Sequence, residues 1–141
     1  MVELYLAHPL DKRKEIRAWE LDFEKRSGIS LRNPFYDTPR PDIEALDRGD
    51  TVPGIKDRNQ ALRIRDRDLK HIDETDGVVA ILNQGYTFGA PMEVFYAYYV
   101  RKVPVYTVVV ERNLFHPWIA VCDNSTSLDE LESKLMALVR H

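Results

Sequence analysis

The chain has 141 residues, 44% of them apolar and 30% charged, with a formal net charge of −3. That suits one globular domain, 1–141, with enough apolar side chain to bury a core. The basic residues are dispersed rather than gathered on a face, which argues against a nucleic-acid partner, and no apolar run approaches the roughly 20 residues that span a bilayer. Cys122 is the single cysteine and reads as a small buried hydrophobe. The N-terminus is too short and too acidic for a signal peptide, so the expected compartment is the cytoplasm.

Val2 to Ala7 reads as a short buried strand stopped by His8-Pro9. Asp11 is the expected N-cap of a helix running to about Lys25, with Ile16, Trp19 and Phe23 at helical spacing and Ser27-Gly28 closing it. Ile29 to Leu31 reads as a second strand. Asn33 to Gly54 holds four prolines without sustained periodicity and is expected to be a long loop, either functional or inert. Asp57 with Gln60 matches a capping box opening a helix to about Glu74.

Gly77 to Leu82 is an almost continuous apolar run, as in a central parallel strand buried on both faces. After a loop from Asn83 to Gly89, Pro91 fits the first position of a helix with Ala90 as N-cap. That helix carries Met92, Phe95, Tyr96 and Tyr99 and ends at Arg101-Lys102, cations that suit a helix C-terminus. Val103 to Val110 is the next strand, and Ser127 with Glu130 opens a final helix to about Val139. Alternation of this kind predicts an α/β fold with a central parallel sheet and helices on both faces. Ligands then bind at the carboxyl ends of the strands, just after Ala7, Leu82 and Val110.

Two carboxylates stand out. At 100° per residue Asp68 falls among Ala61, Ile64, Leu69 and Ile72, and a carboxylate on a core-facing stripe is costly unless partnered or directed into a cavity. It is either a partner for Arg65 or Arg67, or a carboxyl group of a site with a perturbed pKa. Glu93 would be the third residue of its helix. There it either bonds back to the N-cap amide or is kept ionised by the helix dipole and free amides, as a carboxylate nucleophile needs. Phe88-Gly89-Ala90 lets the backbone come close to a ligand. The histidines His8, His71, His116 and His141 are scattered, and no metal-binding spacing is present.

Arg67-Asp68-Leu69, Thr75-Asp76-Gly77-Val78-Val79-Ala80 and Gly89-Ala90-Pro91-Met92-Glu93-Val94-Phe95-Tyr96-Ala97, taken in this order, resemble the nucleoside 2-deoxyribosyltransferase family. Tyr5-Leu6-Ala7-His8-Pro9 is similar to its Y-L-A-S-P opening, and Val103-Pro104-Val105 to its G-K-P-V segment. His116-Pro117-Trp118-Ile119 and Ser127-Leu128-Asp129-Glu130-Leu131 are similar to endings found there, so the resemblance spans nearly the whole chain. It implies a doubly wound, flavodoxin-like three-layer domain in a homodimer or higher homo-oligomer with a shared active site. It implies no cofactor and no metal.

The resemblance also implies a reaction. Glu93 attacks C1′ of a 2′-deoxynucleoside, Asp68 helps protonate the leaving base, Tyr5 orients the nucleophile, and a free nucleobase takes the sugar. Substrate contacts fall to His8, Thr87, Gly89 and Met92, with Asn113 or His116 reaching the sugar's 5′ end from a neighbouring subunit. Thr87 departs from the pattern. Transferases often carry a base-binding aspartate six residues before the nucleophile, whereas the related 2′-deoxynucleoside 5′-monophosphate N-hydrolases have a phosphate-binding serine. His8-Pro9-Leu10, in turn, does not match the hydrolases' G-S-x-R-G type loop. The transferase is the favoured expectation, with the monophosphate hydrolase, or a nucleotide-binding module without chemistry, as alternatives.

Overall fold

A computed structural model describes residues 1–50, 55, 57–85 and 87–140; the expectations that touch Gly54, Tyr86 and His141 lie outside these residues. The elements are β1 (Glu3–Ala7), α1 (Arg13–Ser27), β2 (Ser30–Arg32), α2 (Pro41–Asp47), α3 (Arg58–Asp73), β3 (Val78–Ile81), α4 (Gly89–Phe95), a π-helical turn (Tyr96–Val100), β4 (Val105–Val108), β5 (Asp123–Ser125) and α5 (Leu128–Met136). The five strands form one sheet in the order β2-β1-β3-β4-β5, every pairing parallel. This is the doubly wound, three-layer α/β arrangement expected from the sequence. The order reverses between β1 and β3, which pair as neighbours, so the crevice at their carboxyl ends is the natural ligand position.

The strands alternate between two cores. Leu4 and Leu6 of β1 and Val79 and Ile81 of β3 pack with Ile16 and Phe23 of α1 and Leu131 and Leu135 of α5. On the other face Tyr5, Ala7, Val78 and Ala80 pack with Ile72 of α3 and Ala90, Val94 and Ala97 from α4 and its π turn. Four of the residues between α4 and the sheet are alanines. Their small side chains bring the helix close to the sheet, near enough for a side chain of α4 to reach one of β1.

Several ends follow the expected chemistry. Gly28 caps α1 in the left-handed region at φ 76° and donates its N–H to Glu24 O, a conformation that favours glycine. Asp57 caps α3 by accepting from Asn59 N at 2.7 Å, one residue short of the capping-box bond to Gln60. Ser127 accepts from Glu130 N at 3.1 Å, as in a capping box, while Glu130 reaches back to Thr126 N.

Other expectations are corrected. The N-cap of α1 is Lys12, not Asp11. The stretch from Asn33 is not wholly a loop, because Pro41 opens α2 with Asp42 and Glu44 in its first turn, where proline and acidic side chains are favourable. The N-cap of α4 is Phe88, not Ala90, so Pro91 is the third helical residue, still within the first turn where its missing N–H breaks no bond. β5, with the polar sequence Asp-Asn-Ser, is a strand the periodicity does not reveal.

Gly77 enters β3 with no room for a side chain. A Cβ there would sit 2.7 Å from Pro104 O and 3.3 Å from Leu4 Cδ2. Gly77→Ala is expected to destabilise the fold by ~2–3 kcal/mol, measured by urea unfolding; an unchanged midpoint would show that β4 can yield there.

Candidate active site

Tyr5 is fully buried in the middle of β1, and its phenol O–H donates to Glu93 Oε2. Glu93 is the fifth residue of α4, half-buried as a residue, with its carboxyl group inside against the sheet. That position rules out the bond back to the N-cap amide. It also corrects the expectation of an ionised carboxylate held by the helix dipole. Burial dominates and pushes the Glu93 carboxyl up to about 8, opposed by the Tyr5 hydrogen bond and reinforced by the charge of Asp68. Burial, followed by the charges of Glu93 and Asp68, raises the Tyr5 phenol far above its ordinary value, so it stays a donor. Gly89, one turn before Glu93, leaves its missing Cβ 4.0 Å from Glu93 Oε1, which keeps that oxygen uncrowded.

Asp68 is half-buried on α3 and has no hydrogen-bond partner among the described residues. The two arginines that might have neutralised it are engaged elsewhere: Arg65 pairs with Asp66 at 2.7 Å, and Arg67 Nη1 donates to Pro39 O at 2.9 Å. Burial raises the Asp68 carboxyl to about 6, opposed by the charges of Arg40 and Arg67. Two carboxyl groups in electrostatic contact, both shifted up from separate helices, hold one proton between them near neutral pH. Such a pair offers one acid and one base or nucleophile together.

His8, just past the end of β1, is buried. Its Nδ1 lies 2.9 Å from Pro9 O, and since a carbonyl only accepts, that nitrogen carries the proton and Nε2 a lone pair. Burial lowers the imidazole below its ordinary value, keeping it neutral. His8 Nε2 and Asn83 Oδ1, at the ends of the neighbouring strands β1 and β3, are buried acceptors without a partner among the described residues. Thr87 Oγ1 accepts from Ala90 N at 3.4 Å and so supports the start of α4.

The remaining expected residues do not meet Glu93 within the chain. Met92, Thr87, Asn113 and His116 line a cleft of about 580 Å³ on the outer side of α4, with Phe95 and Trp118. Tyr5, Asp68 and Glu93 are not among its lining residues. Met92, Phe95 and Trp118 are 64%, 45% and 62% exposed, an apolar rim beside the polar pair Asn113 and His116. Cys122 is half-buried, packed against the same core as α4, and burial raises its thiol to about 11. Among the described residues no group of three His, Cys, Asp or Glu side chains is close enough to share a metal ion, and no helix is long and apolar enough to cross a membrane.

Sequence reasoning missed Arg40, which is 7% exposed and whose charge acts on both Tyr5 and Asp68. The available signal was Pro41 followed by two acidic residues, a helix start that places Arg40 at an N-cap.

No family model and no curated protein matches the sequence. Three solved structures match it in shape. A conserved protein from Enterococcus faecalis V583 is 14% identical with a TM-score of 0.65, over 97% of this chain and 98% of that one. A 2-deoxyribosyltransferase from Bacillus psychrosaccharolyticus is 18% identical with a TM-score of 0.55, over 92% and 96%. A CMP N-glycosidase from Clostridium botulinum is 16% identical with a TM-score of 0.54, over 94% and 97%. At these identities the likeness is one of fold, along nearly the full length of each chain.

Proposed function

We propose that this chain is an N-glycosidic-bond enzyme of the nucleoside 2-deoxyribosyltransferase family, moving a 2-deoxyribosyl group between nucleobases. The observation that carries the reading is the Tyr5–Glu93 hydrogen bond beside the unpaired Asp68 carboxyl, at the reversal point of the sheet. The motif order in the sequence and the shape shared with a deoxyribosyltransferase and a CMP N-glycosidase support it.

The chemistry follows from the pair. A Glu93 oxygen attacks C1′ as the bond from C1′ to the base nitrogen breaks, and the electron pair of that bond leaves with the base. Asp68 supplies the proton the base needs, lowering the cost of the leaving anion. The developing oxocarbenium charge sits beside the Glu93 carboxylate, which stabilises it before the ester bond forms. Tyr5 holds Glu93 in line and releases its hydrogen bond to whichever oxygen stays free. A second base then attacks C1′, the ester breaks, and a proton returns to Asp68.

The surroundings favour a deoxynucleoside over its 5′-monophosphate. His8 Nε2 and Asn83 Oδ1 are lone-pair acceptors, matched to sugar hydroxyls and mismatched to phosphate oxygens. The neighbouring cations are already neutralised, Arg13 by Asp47, Arg17 by Glu20 and Arg40 by Asp42. The second reading, a monophosphate N-hydrolase, draws on the equal likeness of shape to the CMP N-glycosidase and on the hydroxyl of Thr87. The apolar rim of Met92, Phe95 and Trp118 suits a homodimer or higher homo-oligomer in which Asn113 or His116 reaches a neighbour's sugar site. The reading is of a cytoplasmic enzyme.

The test is chromatography of products from purified protein given a deoxynucleoside with and without an acceptor base, and given deoxynucleoside monophosphates. Base exchange on the nucleosides is expected. Hydrolysis of the monophosphates alone would replace the transferase by the hydrolase, and no cleavage of any of them would remove the enzyme.

A further inference from the structure

Glu20 and Asn33 are both fully buried and take no part in the chemistry above. Asn33 Nδ2 donates to Glu20 Oε1 at 2.9 Å, and Arg17 Nη1 donates to Glu20 Oε2 at 2.8 Å. Asn33 also ties down the segment that follows it. Its Oδ1 accepts from Phe35 N at 3.0 Å, its N–H donates to Asp37 Oδ2 at 2.7 Å, and its carbonyl accepts from Asp37 N at 2.8 Å. Buried polar groups this fully paired are costly to separate, so they fix one arrangement of the loop.

The same segment is fastened a second time. Pro39 O accepts from Arg67 Nη1 at 2.9 Å, and Arg67 is the residue before Asp68. Arg40 therefore hangs between an anchor on α1 and a tie to α3. Its Nε and Nη2 donate to the two oxygens of Asp42 at 3.0 and 2.9 Å, and its guanidinium lies over the Phe35 ring at 5.4 Å. Phe35 in turn meets His8 edge-on at 4.9 Å. The loop thus joins the end of β1 to the α3 carboxyl through a single buried cation.

We propose that Arg40 is a positioning residue of the active site, seated by the Glu20–Asn33 anchor so that a positive charge is held beside Asp68. The inference rests on the reading of the site given above. The groups facing Asp68 are Arg40 from the loop, Arg67 from α3, Glu93 from α4 and Tyr5 from β1. Burial alone would keep both carboxyl groups protonated at neutral pH, leaving no nucleophile. The Arg40 charge favours loss of the first proton from the pair, so that it carries one negative charge where the reaction runs.

The experiment is the pH dependence of kcat/KM for base exchange in the whole protein. Arg40→Met is expected to move the acidic limb up by roughly 1 pH unit, while Arg40→Lys, which keeps the charge, stays near wild type. Asn33→Ala is expected to shift the limb the same way and to add little in the Arg40→Met background, because both act through one cation. Glu20→Gln keeps an oxygen for Asn33 Nδ2 and is expected to behave as wild type. An Arg40→Met limb coincident with wild type overturns the proposal, and that comparison decides even where Asn33→Ala fails to fold.

A readout independent of turnover is the carboxyl carbon NMR titration of Asp68 in ligand-free protein. Its midpoint should rise in Arg40→Met, and an unmoved midpoint overturns the role of Arg40. A raised midpoint in a protein that cleaves no glycosidic bond would leave Arg40 as the cation beside Asp68 and remove the proposed function instead.

Discussion

Glu93→Gln is expected to lower kcat for base exchange by ~10^4-fold or more while making the protein more stable at neutral pH. The loss follows from the absence of any other carboxylate positioned to form the glycosyl ester, since an amide oxygen is a poor nucleophile. Glutamine still offers an oxygen to the Tyr5 O–H, so the fold around the site has no reason to change. Mass spectrometry of the quenched wild-type reaction should show the deoxyribosyl adduct on the peptide containing Glu93, and the variant should show none. An active Glu93→Gln protein would end the assignment.

The gain in stability has a definite sign and window. The Glu93 carboxyl titrates at about 8 in the folded chain, against an ordinary value of 4.5. Below 4.5 both states hold the proton, and the group makes no demand on the fold. As pH rises towards 8 the unfolded chain releases its proton and the folded chain does not, so stability falls across that interval. Glutamine removes the penalty, worth on the order of 2 kcal/mol near pH 8 after allowance for relaxation of the site. Melting curves of the two proteins should coincide near pH 4 and separate by roughly 5 °C near pH 8. Curves that stay together throughout would show that Glu93 is ionised at no cost in the free protein.

The second large effect separates proton transfer from binding. Asp68→Asn is expected to reduce kcat/KM by ~10^2–10^3-fold with ordinary purine or pyrimidine deoxynucleosides, whose bases leave badly as anions. With a 2-deoxyriboside of p-nitrophenol, a leaving group that needs no proton, the same variant should work within about tenfold of wild type. An equal loss on both donors would mean that Asp68 holds the substrate rather than protonating it.

Much of the frame was legible because it is written in local chemistry. The apolar run of β3, the closing Gly28 and the cap at Ser127 are set by neighbours in the chain, and each lies where the spacing placed it. β5 escaped notice because Asp-Asn-Ser is an edge strand held by its register on β4, with no apolar face of its own. α2 escaped because a seven-residue helix with one fully buried side chain, Ile43, has no periodicity to read.

The site was legible only in part, for a related reason. Tyr5, Asp68 and Glu93 were identifiable as types in order, but their protonation is set by burial that no spacing encodes. Glu93 was expected two positions nearer the helix start, and the hydroxyl of Thr87, which supports the first turn of α4, explains part of that difference. Arg40 was invisible because its neighbours come from α1 and α3, residues 17 to 33 and 67, which the chain brings together only on folding.

Ala7, Ala80, Ala90 and Ala97 act together as a spacer of fixed thickness between α4 and the sheet. The reach of the Glu93 carboxyl to β1 is therefore a dimension of the scaffold, set by methyl groups rather than by the loops that surround the ligand. Diversification of substrate choice has freedom in the loops at the strand ends, whereas any enlargement of the spacer would lift the nucleophile off its tyrosine. Directed evolution of this domain would be expected to leave those four positions untouched while the crevice around them changes.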